Sequence, residues 1–410
     1  MMKKGYLLIG LLVALLLLAM TACSSDDDNN QNEKDEPRPY PCSYDVKVNG
    51  ICYKLVQRGQ VAKVTPGDVY YAGNVVIPST IEHEGTIYQV DEITDSAFCG
   101  CRNLKGVIIP NSVTTIGQWM FKNCSQLKSV SLPEGIEGLP SSLFYQCTAL
   151  DQINIPNSVK IIGDEVFREC TALTSITIPD NVEKMGWRVF LGCTNLESVK
   201  LSSSLQTISA ETFAHCASLS TVTVPNSITV IEDNAFAFCT SLTQLPLPER
   251  LYSIGSRAFV GCTGLTSVSM PSSITQMGES IFEGCTGLTS GDWSAKYIRP
   301  GTFLDCTGLT EFTIEEGVGE ISSDAFSRCK NLALVRISST VGTIGSKAFS
   351  ECENLKDVYY YREKLPDYCP DDIFENAYVN YATLHVPTSV VEDYRTTTPW
   401  SEFGKIEAID

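Results

Sequence analysis

Twelve cysteines divide this 410-residue chain into nearly equal lengths. They stand at Cys101, Cys124, Cys147, Cys170, Cys193, Cys216, Cys239, Cys262, Cys285, Cys306, Cys329 and Cys352. Every step is 23 residues except one of 21, from Cys285 to Cys306. A fixed period of this length marks a stacked repeat protein, in which one unit cannot bury its own apolar side and shares a continuous core with its neighbours. Other residues keep the same phase. Phenylalanine lies three places before each of these cysteines and leucine three places after. In "FRECTALTSITIPDNV", residues 167–182, Ile176 and Ile178 alternate with Ser175 and Thr177. That is the pattern of a strand with one buried face. Pro179 follows, and proline has no N–H to give a central ladder, so the strand ends there. In "SVKIIGDEVFREC" the glycine predicts a turn, and "DEVF" a helical turn or short helix on the return path. Parallel strands about 4.8 Å apart put twelve such coils into a rod roughly 55 Å long.

In a stack of this kind the cysteines form a ladder. Cysteine is small, apolar and among the most buried residue types, so it suits a tight inward site. Its thiol can also donate weakly to a loop carbonyl. A cysteine between two others cannot bond both. The uniform ladder therefore predicts packed thiols rather than disulfides, even in a chain that leaves the cytoplasm. Cys42, Cys52, Cys99 and Cys369 lie off the ladder, and a Cys42–Cys52 bridge is the expected exception.

The chain begins "MMKKGYLLIGLLVALLLLAMTACSSDDDNN". Lys3 and Lys4, a short apolar run and small residues read as a signal peptide over residues 1–22. "MTAC" resembles a bacterial lipobox, which makes Cys23 the expected lipidated residue and the only expected membrane attachment. "CSSDDDNN" resembles the acidic signal that sends lipoproteins of the Bacteroides group to the outer face of the outer membrane. Residues 23–39 carry the composition of a flexible tether. Residues 40–90 lack the full repeat phrase and read as a β-rich N-terminal cap, with "VVIPSTI" resembling the strand of an irregular first coil. Residues 91–358 form the repeat region. Residues 359–410 hold a degenerate repeat and a cap, in which Trp400 and Phe403 close the last coil.

"IGDEVFRECTALTSITIPDNV" and "IEDNAFAFCTSLTQLPLPERL" resemble the BspA-like leucine-rich repeats, also called the Treponema pallidum type. The resemblance spans about residues 75 to 390. It implies a leucine-rich repeat solenoid of about twelve 23-residue coils, with a parallel β-sheet on one face, short helical or irregular segments on the other, and β-rich caps. It also implies a surface or secreted protein of a host-associated microbe, and it supplies no catalytic residues. The 21-residue coil around "GDWSAKYIRPGTF" departs from the pattern, as do Ser202, Ser294 and Ser338 where proline is usual.

Composition narrows the function. The formal net charge is −18, so nucleic acid and anionic lipid surfaces should be repelled. The three histidines, His83, His215 and His385, have neither metal spacing nor a recurrent acid partner. No phosphate loop or nucleophile elbow is present. No catalytic, cofactor or metal residue is expected. The outward strand positions are small and polar through the middle coils, from Ser129 and Ser131 to Ser267 and Ser269, which suits extended contacts on a long concave face. Toward the C-terminus Asp292, Glu311, Arg336, Asp357 and Tyr359 bring charge and a ring. Candidate ligand contacts are thus Glu311, Arg336, Tyr359, Tyr360 and Tyr361. The expected molecule is a monomeric cell-surface binding or adhesion protein whose partner is a host or bacterial surface protein or a glycan. The alternatives are an envelope spacer without a ligand and, more remotely, a hydrolase with paired acids hidden in the caps.

Overall fold

The computed structural model describes residues 42–409. The expected signal peptide, Cys23 and the tether lie outside them. The described chain is a parallel β-solenoid. Its phenylalanines stack in register from Phe98 to Phe374, with successive ring centroids 5.1 to 5.7 Å apart. All these rings are buried, and each stabilises the stack by about 2–3 kcal/mol.

Each coil runs from this spine through the cysteine and leucine into the sheet face, in most coils as a short strand. Ile176 and Ile178 are buried while Ser175 and Thr177 face out. Two residues per coil adopt left-handed backbone, one two places before the phenylalanine and one two places after it, as at Glu165 and Glu169 around Phe167. A right-handed helix cannot pass through two such residues, so of the helical turn or short helix expected at "DEVF" the chain forms hydrogen-bonded turns and no helix. Most of these residues are not glycine, and each such conformation costs ~1 kcal/mol. Inter-coil bonds such as Phe167 N–H to the Val189 carbonyl at 2.9 Å, together with ring burial, hold the strained turns in place.

The main face is a parallel sheet in three stretches. The first joins Gly73–Val76, Leu104–Ile108 and Ser129–Ser131; the second joins Ser175–Thr177, Ser198–Lys200 and Thr221–Thr223. The third has seven strands, from Ser267–Met270 to Lys405–Ile409. The ladder lapses at Gln152–Asn154 and at Gln244–Leu247. At the second lapse Pro246 takes an outward strand position and has no N–H to offer. Two-residue strands, such as Ile161–Ile162 and Lys184–Met185, form a second parallel edge. The 21-residue coil loses its two residues between Trp293 and Tyr297. Asp292 still pairs with Thr313 in the main sheet, but the second edge stops at Gln276–Met277 and restarts at Tyr297–Ile298. The buried Trp293 indole donates to the Tyr297 carbonyl at 3.0 Å across that shortened corner.

Serine in place of proline is also explained. The Ser202 hydroxyl donates to the Val182 carbonyl at 2.7 Å, that of Ser294 to Met270 at 2.8 Å, and that of Ser338 to Glu315 at 3.0 Å. Each ties its strand end to the preceding coil.

At the N-terminus, Val46–Val48, Ile51–Val56, Val61–Thr65, Thr80–His83 and Thr86–Ile93 form a mostly antiparallel sheet. Thr86–Ile93 crosses residue 90 and pairs in parallel with Thr115–Ile116, so this cap runs straight into the second edge. At the C-terminus, Tyr394, Trp400 and Phe403 are buried and pack with Phe374 and Tyr360. The last strand, Lys405–Ile409, is an open sheet edge, and Arg395 of the short helix Val391–Thr396 donates to its Ile406 carbonyl.

Candidate functional site

The outward side of the main sheet changes character along its length. In the middle, Gln152, Asn154, Ser175, Thr177, Ser198, Lys200, Thr221 and Thr223 line a shallow groove of about 700 Å³. Lys200 is the one charge among them. In the seven-stranded stretch, strand register places Asp292, Thr313, Arg336, Tyr359, His385 and Glu407 in one outward row. Glu311, Leu334, Asp357, Thr383 and Lys405 form the row beside it.

Three side chains of the first row stack. The rings of Tyr359 and His385 lie 4.1 Å apart between centroids and 7° from parallel. From the strand on the other side, the Arg336 guanidinium sits 5.7 Å from the centre of the Tyr359 ring. Carboxylates hold the histidine: its Nε2 is 2.9 Å from Asp357 Oδ1, and its Nδ1 is 3.8 Å from Glu407 Oε2. Lys405 pairs with Glu407, whose carboxyl it holds below the usual range. Tyr361 is 39% exposed, with its ring 6.3 Å from Tyr359. Among the described residues Arg336, Glu311 and Asp292 make no ion pair. Adjacent strands fix all these groups, so an aromatic and charged surface is presented with little rotamer freedom left to lose on binding.

Of the sequence candidates, the structure brings Arg336, Tyr359 and Tyr361 together, with Glu311 in the neighbouring row. Tyr360 is a correction. It is fully buried, its hydroxyl donates to the Val341 carbonyl at 2.7 Å, and burial pushes its phenol pKa up. It takes the inward place that Ile178 takes in its coil, so it cannot touch a ligand. His385 joins this cluster, and sequence reading missed it. Elsewhere in the C-terminal segment Tyr368, Tyr378 and Tyr381 are exposed and Tyr394 is buried.

The cysteine ladder lies wholly inside. All twelve members are buried. From Cys124 to Cys352 each thiol donates to the carbonyl of the phenylalanine one coil earlier, at 3.0 to 3.2 Å. Burial pushes the Cys193 thiol up to about 12 and lifts Cys147, Cys170 and Cys216 well above the ordinary value. Raised thiols of this kind are poor nucleophiles. The expected Cys42–Cys52 bridge is not formed. Cys52 is a buried free thiol, and the Cys42 thiol donates instead to the Gly67 carbonyl at 2.9 Å. Among the described residues no group of three or more His, Cys, Asp or Glu could hold a metal ion, and no helix is long and apolar enough to cross a membrane.

Coil, spine and sheet together define a leucine-rich repeat solenoid. A family model described as the BspA type leucine rich repeat region matches residues 91–217, 160–289 and 290–394, and the chain belongs to that family. Among solved structures it is similar to a leucine-rich repeat protein from Bacteroides ovatus, at 27% identity and a TM-score of 0.75, over 90% of this chain and all of that one. It also matches a Treponema pallidum leucine-rich repeat protein at 25% identity and a TM-score of 0.41, over 59% of this chain and 90% of that one. No curated protein matches it. Leucine-rich repeat proteins are generally protein-binding scaffolds and typically not enzymes.

Proposed function

We propose that this chain is a cell-surface adhesion protein, held at the outer membrane by lipid on Cys23, that meets its partner with the C-terminal part of its sheet face. The partner is a surface protein or glycan of a host or of another bacterium, bound without covalent chemistry by a monomer. The observation that carries this reading is the Arg336–Tyr359–His385 stack, with Tyr361 beside it. Tyrosine and arginine on a rigid support are the residues that most often dominate binding energy at interfaces. The lipobox-like "MTAC" and the acidic run after it support the anchoring.

The test arrays residues 40–410 against extracellular-matrix proteins, mucins and bacterial glycans, beside a variant carrying Arg336→Ser, Tyr359→Ser and Tyr361→Ser. Tyr360 is left intact because the core needs it. Saturable binding that weakens at least about tenfold in the variant is expected, the effect of losing one or two hot-spot side chains. Unchanged binding by the folded variant would move the site to the hydroxyl-lined middle. No saturable binding by the parent would favour an envelope spacer. Loss of palmitate incorporation in Cys23→Ala tests the anchor.

A further inference from the structure

The lapse of the ladder at Gln244–Leu247 opens the interior. Of the six inward residues in the lapsed coil and its two neighbours, Val224, Leu245, Leu247 and Val268 are partly exposed while Val222 and Met270 stay buried; Ile176, Ile178, Val199 and Leu201 at equivalent places are all buried. Among the described residues, the backbone of Gln244–Leu247 makes no hydrogen bond. A crevice of about 490 Å³ results, within the range of ligand sites. Leu245, Leu247, Leu265 and Val268 line it, above the buried Phe259 and Phe282, whose rings stack 5.2 Å apart in the spine. Its rim carries Gln244, Ser267, Ser269 and Glu249. Glu249 is its one charged group, is exposed, and makes no ion pair among the described residues.

Size, lining and charge select the occupant. Exposed leucine and valine walls favour a large flat apolar group, and an aromatic side chain supplies the most contact area for little lost rotamer freedom. An unpaired carboxylate beside an apolar crevice favours a positive charge next to that ring. We propose that this crevice is an anchoring site for an aromatic side chain of a partner protein, presented beside a lysine or arginine. The proposal rests on the reading of the sheet face as a protein-binding surface, and it adds a second contact, distinct from the C-terminal stack.

The experiment uses the full chain in mild detergent and two blocked dipeptides, acetyl-Trp-Lys-amide and acetyl-Trp-Glu-amide, followed by NMR line shifts and tryptophan fluorescence. Saturable binding is expected, at least threefold tighter for the lysine peptide. Pro246→Val supplies the missing N–H and a β-branched strand residue, closes the crevice, and should abolish binding. Glu249→Gln, on the exposed rim, should keep tryptophan binding and erase the preference for lysine. Absence of saturable binding, or equal binding by a folded Pro246→Val, overturns the proposal. Should Pro246→Val not fold, Glu249→Gln decides: a preference that survives also overturns it. A Tyr359→Ser/Tyr361→Ser variant should bind the dipeptides as the parent does, so failure here and failure of the C-terminal site are read separately.

Discussion

The coil beginning at Cys193 and the coil beginning at Cys329 share an interior and differ outside. Inside, Leu196, Val199 and Leu201 match Leu332, Val335 and Ile337, and all are buried. Both coils hang on the same phenylalanine spine and the same thiol-to-carbonyl bonds. Outside, Ser198 and Lys200 stand where the later coil has Leu334 and Arg336. The earlier coil belongs to a three-stranded stretch of three-residue strands, the later to an unbroken seven-stranded one. Repetition is thus a demand of the core, where each side chain must fit the copy above and below. The outward positions carry no such demand, so a cluster of rings and charges there is informative.

The largest test acts on both coils at once. Buried ladder thiols have a folded pKa raised above the unfolded value of about 8.5. The unfolded chain therefore loses protons first as pH rises, and stability falls from about pH 8.5 upward toward the folded value. By pH 10 each thiol so raised should cost about 2 kcal/mol, and the nine from Cys147 to Cys239 and from Cys285 to Cys352 together unfold the protein. Circular dichroism against pH checks the loss. Mass mapping of iodoacetamide adducts should show Cys193 and Cys329 labelled together, and early labelling of either coil would break the equivalence.

Next in size are Phe190→Ala and Phe326→Ala. Each should cost about 3–5 kcal/mol in urea unfolding, and the two should agree closely. A wide gap would mean that one region carries the core and the other leans on it. Tyr360→Ser and Tyr359→Ser then separate inside from outside on one strand: the first should cost about 3 kcal/mol or more, the second under about 1 kcal/mol. Smallest is a difference in amide exchange. Gln152–Asn154 and Gln244–Leu247 should exchange faster than Val335–Ile337, which sits in the continuous ladder. Equal protection would remove the distinction between interrupted and unbroken sheet.

The repeat phase made the spine, the thiol ladder and the strand positions legible before any coordinates. It also held the signal that was overlooked at "YYY". Tyr360 falls eight places after Cys352, as Ile178 falls eight after Cys170, so counting alone would have turned it inward. His385 gave no such signal. It pairs with Tyr359 from 26 residues on, because the irregular segment around Leu365 and Pro366 lengthens that coil and breaks the count. The turns in place of helix were illegible for another reason. Glu165, Arg188 and Lys347 are good helix formers, and only the stacked neighbours force them into left-handed backbone.

Each coil offers the next one the same surface that it received from the last, down to the carbonyl that waits for a thiol. Copy number is therefore a free variable. A whole coil can be gained or lost without creating a new kind of contact, and each one moves the Arg336–Tyr359–His385 surface about 4.8 Å relative to the N-terminal cap. The reach of the molecule and the chemistry at its far end can change independently, the first by counting and the second by substitution.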